Sequence, residues 1–328
     1  MLSSRIVVRS IPYTLALLLV VTACAEKGER GGAPPSALAP REGFVTVEGG
    51  RVWYRIVGTG PGTPVVLLHG GPGVPSNYLK PLTALADDRP VIYYDQLGTG
   101  KSDHPTDSTL WTTARFVREL ATLRDSLGLG EVHLYGHSWG TMLAAAYMET
   151  KPAGVKSVTF ASPCLSAARW QGDADTLILA LPDSMRRHIA THEAAGTTAS
   201  PQYQAAMNDY YSRYVMRTTP PPADAESSMA GITMAVYGTM WGPSEFKATG
   251  NLKAYDATPR LHEIGVPTLF TAGEYDEATP STTRWYASLV PGSRYVTIPR
   301  AAHMVTIDNP DETVRVLRDF LREVDAAR

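Results

Sequence analysis

The sequence predicts an α/β fold, in which helices flank a mostly parallel central sheet and a helical cap is inserted between two core segments. Two apolar runs, PVVLLHGG at 64–71 and PVIYYD at 90–95, have the length and continuous hydrophobicity of strands buried on both faces of a parallel sheet. Strand and helix patterns alternate along the chain with one long interruption. The predicted core therefore comprises residues 43–163 and 263–328, and the predicted cap comprises residues 164–262.

The other core elements before the cap are recognisable one by one. Residues 43–57 alternate apolar and polar side chains around a Gly-Gly turn, which is typical of a β-hairpin. Residues 77–88 are expected to be helical despite Pro81, and residues 112–127 place apolar side chains on one helical stripe that glycines terminate. A strand at EVHLYGH, a helix at WGTMLAAAYMETK and a strand at VKSVTFAS follow.

The predicted cap is rich in Met, Tyr, Ala and Pro, and it has helical patterns at 175–194 and 201–216. The core pattern resumes with a strand at VPTLFTAGEYD. SRYVTIPRAAH supplies a last strand, and DETVRVLRDFLREV an amphipathic terminal helix.

The N-terminal segment has the pattern of an export signal. Arg5 and Arg9 precede a short apolar run, and VTAC then resembles the lipobox of bacterial lipoproteins, so Cys24 is the expected lipidation site. Residues 1–24 are thus predicted to be a lipoprotein signal and residues 25–42 a flexible Gly/Pro/Ala-rich tether. We expect an exported, membrane-anchored bacterial lipoprotein. Plain cleavage, giving a periplasmic or secreted protein, and an uncleaved signal anchor are the alternatives.

Composition argues against nucleic-acid binding and against a disulfide bond. A net charge of −2 without a long basic run offers no electrostatic surface for nucleic acid. Cys164 is the only cysteine besides Cys24, so no disulfide is expected between folded parts, and Cys164 is expected to be a small core residue.

The pentapeptide GHSWG lies between a predicted strand and a predicted helix. This is the context of a nucleophile elbow, in which glycines allow a tight turn and leave Ser138 Oγ exposed at the end of the strand. A serine needs a base, and the chain order serine, acid, histidine is met by Asp276 and His303, each just after a predicted strand. Glu274 and Glu277 compete with Asp276, but the shorter carboxylate at the strand exit is favoured for orienting the imidazole.

A glycine-rich loop, HGGPG, follows the first apolar strand. Glycines there let backbone N–H groups face a developing oxyanion, and we assign that role to the N–H groups of Gly71 and Trp139. Each such donor typically contributes about 3–4 kcal/mol to transition-state stabilisation. This chemistry requires neither metal nor cofactor.

The segment DQLGTGKSD matches part of the sequence pattern of a phosphate-binding loop. The full pattern requires a glycine where Asp95 stands, and SDHPT follows in place of a helix. We therefore interpret it as a structural turn, with Gly98 and Gly100 at tight bends and Asp95 and Ser102 hydrogen-bonding the backbone.

Five motifs occur in order: HGGPG, YDQLGTGKSD, GHSWGTMLAAAY, WGPSEF and GEYDEATP. Together they resemble the proline iminopeptidase family of α/β-hydrolases, serine peptidases that remove N-terminal residues. The resemblance is closest to the branch with tricorn-associated aminopeptidases and amino-acid amide hydrolases, and it covers residues 43–328. It implies an α/β-hydrolase fold and an enzyme that releases N-terminal residues, with proline expected, from short peptides through an acyl-enzyme.

The resemblance also implies acidic side chains that hold the free amino group of the substrate. The matching positions are Glu245 in WGPSEF and Glu277 directly after Asp276. Tyr237, Met240 and Trp241 are candidates for the apolar wall of the pocket, although packing in the cap's own core is an equal alternative for each.

Other functions remain open on the same residues. An amino-acid amide hydrolase of the prolinamide type would use identical roles, and a carboxylesterase or lactonase would use the same triad. A non-catalytic binding protein is disfavoured by the intact set of Ser138, Asp276 and His303. The expected partner is a small peptide or amino-acid amide, and the sequence does not predict an oligomeric state.

Overall fold

The two apolar runs form neighbouring strands in the middle of an eight-stranded sheet. The structure, a computed structural model, describes residues 38–243 and 245–327. Within those residues the strands are β1 (Arg41–Val47), β2 (Gly50–Val57), β3 (Val65–Leu68), β4 (Val91–Tyr94), β5 (Val132–Ser138), β6 (Val155–Pro163), β7 (Thr268–Gly273) and β8 (Arg294–Ile298). Their order is β1-β2-β4-β3-β5-β6-β7-β8. β2 pairs antiparallel with β1 and with β4, and the other neighbouring pairs are parallel.

This sheet confirms the predicted fold class. Every residue of β3 and β4 is buried, as the continuous apolar runs indicated, and the Gly-Gly turn joins β1 to β2 as a hairpin. β1 begins at Arg41, so the predicted tether, 25–42, extends two residues too far; Arg41 pairs with Ile56 in the ladder, but its exposed polar side chain gives no strand signal. The predicted signal with Cys24, and the tether as far as residue 37, lie outside the described residues.

The described helices lie before, within and after the predicted cap. Those before it are α1 (Thr113–Leu127) and α2 (Trp139–Glu149). Those within it are α3 (Ala167–Leu179), α4 (Asp183–Ala195), α5 (Pro201–Tyr214), α6 (Ala223–Ala230) and α7 (Met234–Met240), and those after it are α8 (Pro280–Ser288), α9 (Val305–Asp308) and α10 (Pro310–Ala326). Short 3-10 helices occupy Ser76–Leu85, Ser108–Leu110 and Thr258–Glu263.

Two helical predictions need correction, and proline is the reason in both. The segment predicted as a helix at 77–88 forms the 3-10 helix Ser76–Leu85, with Pro81 inside it; proline lacks the N–H that an α-helical hydrogen bond would need there. The predicted single helix at 175–194 is two helices, because the chain breaks at Pro182, which caps the start of α4.

The cap segment contributes to three clusters of buried side chains, to one of them through Ala225 of α6. Helices α4 and α5 pack around Tyr203, Met207 and Tyr210, which belong to a small cluster of their own. Met240 and Trp241 instead belong to the main core beside α2. The end of the cap segment is therefore anchored in the core, while α4 and α5 form an outer layer.

The loop DQLGTGKSD is held by its own hydrogen bonds, as its structural interpretation predicted. Asp95 accepts from the backbone N–H and hydroxyl of Ser76 at 2.9 and 2.7 Å, and from the Lys101 N–H at 2.9 Å. Ser102 donates to the Asp95 carbonyl and accepts from the Trp53 N–H at 2.8 Å. At Gly100, φ is 55° and a Cβ would lie 2.2 Å from Asp95 Oδ2, so no larger residue fits.

The parallel strands β3, β5, β6, β7 and β8 end at one edge of the sheet. The loops that follow them carry HGGPG, GHSWG, the Asp276 segment and the His303 segment. In the part of the chain that the structure describes, no helix is both long enough and apolar enough to span a bilayer.

Candidate active site

Ser138 stands at the turn between β5 and α2. Its backbone has φ 55° and ψ −123°, a conformation that non-glycine residues rarely adopt. A Cβ at Gly136 would lie 2.4 Å from the Gly140 carbonyl oxygen, and one at Gly140 would lie 2.1 Å from the Leu68 carbonyl oxygen. Both glycines of GHSWG are thus needed for close packing of the strand, the turn and the helix, which is the arrangement predicted for a nucleophile elbow.

His303 is oriented by Asp276. Its Nδ1–H donates to Asp276 Oδ1 at 2.8 Å, which leaves Nε2 available to take up a proton. The Asp276 side chain is buried and also accepts from the backbone N–H groups of Gly273 at 3.0 Å and Ala278 at 2.8 Å. Glu274, one of the competing carboxylates, instead accepts from the Arg300 N–H at the surface.

Backbone atoms near Ser138 are fixed by a buried glutamine that sequence reasoning missed. The Trp139 indole donates to Gln96 Oε1 at 2.8 Å, and the Gln96 N–H donates to His69 Nε2 at 2.9 Å. Gln96 belongs to the DQLGTGKSD turn, while His69 begins HGGPG. The Gln96 side chain also donates from Nε2 to the His69 carbonyl oxygen at 3.2 Å, so Gln96 joins the two proposed oxyanion segments around Gly71 and Trp139.

A second buried network joins the HGGPG loop to His303. The Gly70 N–H donates to the Tyr78 hydroxyl at 2.7 Å, and that hydroxyl lies 2.9 Å from His137 Nδ1. His137 Nε2 lies 2.8 Å from the His303 carbonyl oxygen, which can only accept, so Nε2 carries the proton and Tyr78 donates to Nδ1. Burial lowers the pKa of His137 to about 3, in agreement with a neutral ring.

The principal cavity opens in front of Ser138, between the strand ends and the cap helices. Its volume is about 260 Å³, and Ser138, His303, Gly71, Glu245 and Glu277 all line it. A second cavity of about 10 Å³ shares Gly71, Ser138 and Glu245 with the first. Its other lining residues are Pro72, Trp139, Met142, Cys164, Trp170, Trp241 and Leu252.

The three residues predicted for the apolar wall separate in the structure. Tyr237 lines the larger cavity and Trp241 the smaller one. Met240 is fully buried in the main core and lines neither of these cavities, so its assignment to the pocket is wrong. Met240 lies four residues after Val236 in α7, and both side chains are buried in the main core on the same side of the helix.

Glu245 and Glu277 bring two carboxyl groups to the larger cavity. Burial raises the pKa of Glu245, against the effect of a hydrogen bond from the Tyr237 hydroxyl to Oε2. Burial, followed by the nearby charges of Glu245 and Asp276, raises the pKa of Glu277 well above its usual value. Glu277 Oε2 is buried and has no hydrogen-bond partner among the described residues.

No lysine or arginine appears among the described residues that line this cavity. The nearest cationic candidate is His303, whose Nε2 lies 4.0 Å from Glu277 Oε1. The described lining of the cavity therefore supplies no lysine or arginine to pair with the two carboxyl groups.

Comparison with known proteins gives a consistent result. The family described as "alpha/beta hydrolase fold" matches residues 63–310. A proline iminopeptidase of Heyndrickxia coagulans is 50% identical over 285 residues, covering 86% of this chain and 99% of that protein. The chain belongs to the proline iminopeptidase family. The crystal structure of proline iminopeptidase from Mycobacterium smegmatis is 35% identical, with a TM-score of 0.82, and the match covers 88% of this chain and 99% of that one.

Membership of the proline iminopeptidase family confirms the predicted family and makes the chain a serine hydrolase. The narrower branch, with tricorn-associated aminopeptidases and amide hydrolases, stays a prediction. Among the described residues, no group of three or more histidine, cysteine or acidic side chains is arranged to hold a metal ion.

One aromatic residue of this iminopeptidase site gave no signal in the sequence. The indoles of Trp170 and Trp241 donate to the Glu245 carbonyl oxygen at 3.3 and 3.2 Å, and the two rings pack edge to face at 6.1 Å. Trp170 also lies edge to face with His303, 5.5 Å between centroids. It stands in α3 without any motif, and only the folded cap brings it to the histidine.

Proposed function

We propose that this protein is a serine aminopeptidase that releases N-terminal proline from short peptides through an acyl-enzyme. The observation that carries the proposal is the pair of carboxyl groups of Glu277, which is buried, and Glu245, which is partly exposed, beside Ser138 and His303 without a lysine or arginine in the described cavity lining. Support also comes from relatives named proline iminopeptidase, the nearest of those described above being 50% identical. The amide-hydrolase and esterase alternatives are not favoured by these names.

In the proposed reaction, His303 Nε2 takes the proton of Ser138 as Oγ attacks the carbonyl carbon of the first residue. Asp276 holds Nδ1–H and stabilises the imidazolium that forms. The N–H groups of Gly71 and Trp139 stabilise the oxyanion. His303 then returns the proton to the leaving nitrogen as the C–N bond breaks, and a water molecule, deprotonated by the same histidine, hydrolyses the ester to release the first residue.

The carboxyl pair selects substrates by their amino terminus. Both groups have raised pKa values in the free protein, so ionising them is costly until a positive charge arrives. The ammonium group of a free amino terminus, a secondary ammonium in the case of proline, supplies that charge and can donate to the unpartnered Glu277 Oε2. An acylated amino terminus brings no charge, so the site favours removal of a terminal residue over cleavage within a chain.

The smaller cavity is proposed to receive the ring of the first residue. It opens beside Ser138 and Glu245 and is walled by Trp170 and Trp241. Because a cavity of about 10 Å³ holds only about one water molecule, entry of the ring requires these walls to move apart, and the flat indole faces suit the methylenes of a proline ring.

Replacing Glu245 by glutamine tests the amine anchor. Prolyl p-nitroanilide should lose about 30-fold or more in kcat/KM, because a buried charge pair is broken. p-Nitrophenyl acetate, which has no amino group, should change less than about 3-fold. N-acetyl-prolyl p-nitroanilide should be a poor substrate of both proteins, and alanyl p-nitroanilide should measure the preference for proline.

Glu274→Gln provides a control, because Glu274 lies in the same loop as Glu277 but accepts from the Arg300 N–H at the surface. Its kinetics should equal those of the unmodified enzyme on every substrate. Equal losses of ester and amide activity in Glu245→Gln would contradict the anchor, and activity on the ester alone in the unmodified enzyme would identify an esterase.

We also propose that the mature protein is exported and attached to a membrane by lipid on Cys24. The support is the VTAC sequence after a short apolar run, followed by a Gly/Pro/Ala-rich segment. Cys24→Ser should move the protein from the detergent phase to the aqueous phase in a detergent partition experiment. Aqueous partitioning of the unmodified protein would instead support plain cleavage and a periplasmic or secreted enzyme.

A further inference from the structure

The larger cavity has more room than the first residue of a substrate needs. This inference rests on the proposed function, in which Glu245 and Glu277 hold the amino group of the substrate and Ser138 attacks its first carbonyl carbon. The first residue of the substrate therefore lies between Ser138 and the two carboxyl groups. Whatever lies beyond the scissile bond must occupy the rest of the cavity. That remainder is therefore the subsite for the leaving group.

The walls of the cavity are mostly apolar and come from separate parts of the fold. The HGGPG loop, the outer cap helix α5, the segment from α6 to α7 and the loop after β8 each contribute. The apolar side chains are Val74, Met207, Met229, Ile232, Met234 and Met304, and the polar side chains of Thr198, Gln204 and Asn208 also line the cavity without adding a charge. Methionine is flexible and polarisable, so such a surface adapts to apolar groups of different shape.

Charge restricts the leaving group further. Among the described residues that line the cavity, the carboxyl groups are Glu245 and Glu277, and no lysine or arginine accompanies them. A dipeptide would place its free carboxylate one residue beyond the scissile bond, in an apolar subsite near two acidic groups. That carboxylate would lose hydration without gaining a cationic partner.

We propose that the leaving group preferred by this enzyme is apolar and uncharged at its first residue. The matching substrates are peptides of three or more residues with an apolar second residue, and apolar amides of the N-terminal amino acid. Dipeptides with a free carboxylate and peptides with an acidic second residue are discriminated against.

Four substrates test the proposal: Pro-Leu-NH₂, Pro-Leu, Pro-Asp-NH₂ and prolinamide. We expect kcat/KM for Pro-Leu-NH₂ to exceed the values for Pro-Leu and for Pro-Asp-NH₂ by at least about 10-fold. Prolinamide should also be slower, because its leaving group leaves the apolar subsite empty. The Pro-Leu pair isolates the effect of the carboxylate, since the two substrates differ only at that group.

Met234→Lys adds a cation to the subsite. Met234 lines the cavity and is 56% exposed, so the lysine should be tolerated, and it should raise the ratio of kcat/KM for Pro-Leu over Pro-Leu-NH₂ by about 5-fold or more. Leu179→Lys is the matched control: Leu179 is 67% exposed and lines neither of the two cavities, so that ratio should stay unchanged.

The outcomes separate this inference from the function on which it rests. Rapid turnover of Pro-Leu and Pro-Leu-NH₂ at equal kcat/KM would overturn the leaving-group subsite alone. The same conclusion would follow if Met234→Lys left the ratio of kcat/KM for Pro-Leu over Pro-Leu-NH₂ unchanged. No turnover of any of the four prolyl substrates would overturn the proposed aminopeptidase function, and the subsite with it.

Discussion

Replacing Ser138 by alanine is expected to lower kcat for prolyl p-nitroanilide by at least about 10⁴-fold, because no acyl-enzyme can then form. The fold should be retained: alanine keeps the Cβ that the turn already accommodates at φ 55°, and the side chain lost is a single hydroxyl. A fluorophosphonate probe should label the unmodified protein at Ser138 and leave the variant unlabelled. Circular dichroism and the melting temperature should be nearly unchanged.

Ser162→Ala is a demanding control for this experiment. Ser162 is likewise a serine at positive φ, 49°, but it is buried, and its hydroxyl donates to the His303 carbonyl oxygen at 3.0 Å. Its loss removes one supporting hydrogen bond but no reacting atom, so kcat should fall by about 10-fold or less. A Ser138→Ala enzyme with more than about 1% of the original kcat would show that another group is the nucleophile.

Replacing Asp276 by asparagine is expected to lower kcat by about 10⁴-fold. Oδ1 accepts from His303 Nδ1–H and the Ala278 N–H, while Oδ2 accepts from the Gly273 N–H. With the amide oxygen at the Oδ1 position, the amide NH₂ faces the Gly273 N–H. With the amide reversed, the NH₂ faces Ala278 N–H and favours the histidine tautomer protonated on Nε2, which cannot accept the serine proton.

Both amide orientations leave a buried donor facing a donor, so Asp276→Asn should also reduce the free energy of unfolding, by about 1–3 kcal/mol. Kinetics are therefore to be measured at a temperature at which thermal unfolding shows the variant to be folded. The carboxylate would lose its assigned role if the folded variant retained kcat within 10-fold of the original, or if Glu274→Gln reduced kcat by a similar amount.

The positions of the candidate triad could be predicted because they follow from chain order and strand ends. Parallel strands deliver Ser138, Asp276 and His303 to the same edge of the sheet, so locating the strands sufficed. Residues that act through packing between distant segments could not be found this way. Gln96 reaches Trp139 across two loops, and Trp170 reaches His303 only once the cap has folded.

The sequence also could not predict which way a side chain at the end of a helix points. Tyr237 and Met240 stand three residues apart in α7, where a helix places side chains on nearly the same face. Tyr237 lines the cavity, whereas Met240 is buried in the core together with Val236, four residues earlier in the helix. The composition of this segment is compatible with either orientation.

The proposed amine anchor is divided between two parts of the chain that differ in their freedom to vary during evolution. Glu277 directly follows Asp276, so a backbone shift that moved this carboxyl group would also disturb the carboxylate that orients His303. Glu245 comes from the cap segment, held by Tyr237 and by two indoles, and none of these contacts is part of the triad. Descendants of such an enzyme can therefore lose the requirement for a free amino terminus through substitutions in the cap alone, and diverge toward ester hydrolysis with the machinery of bond cleavage inherited intact.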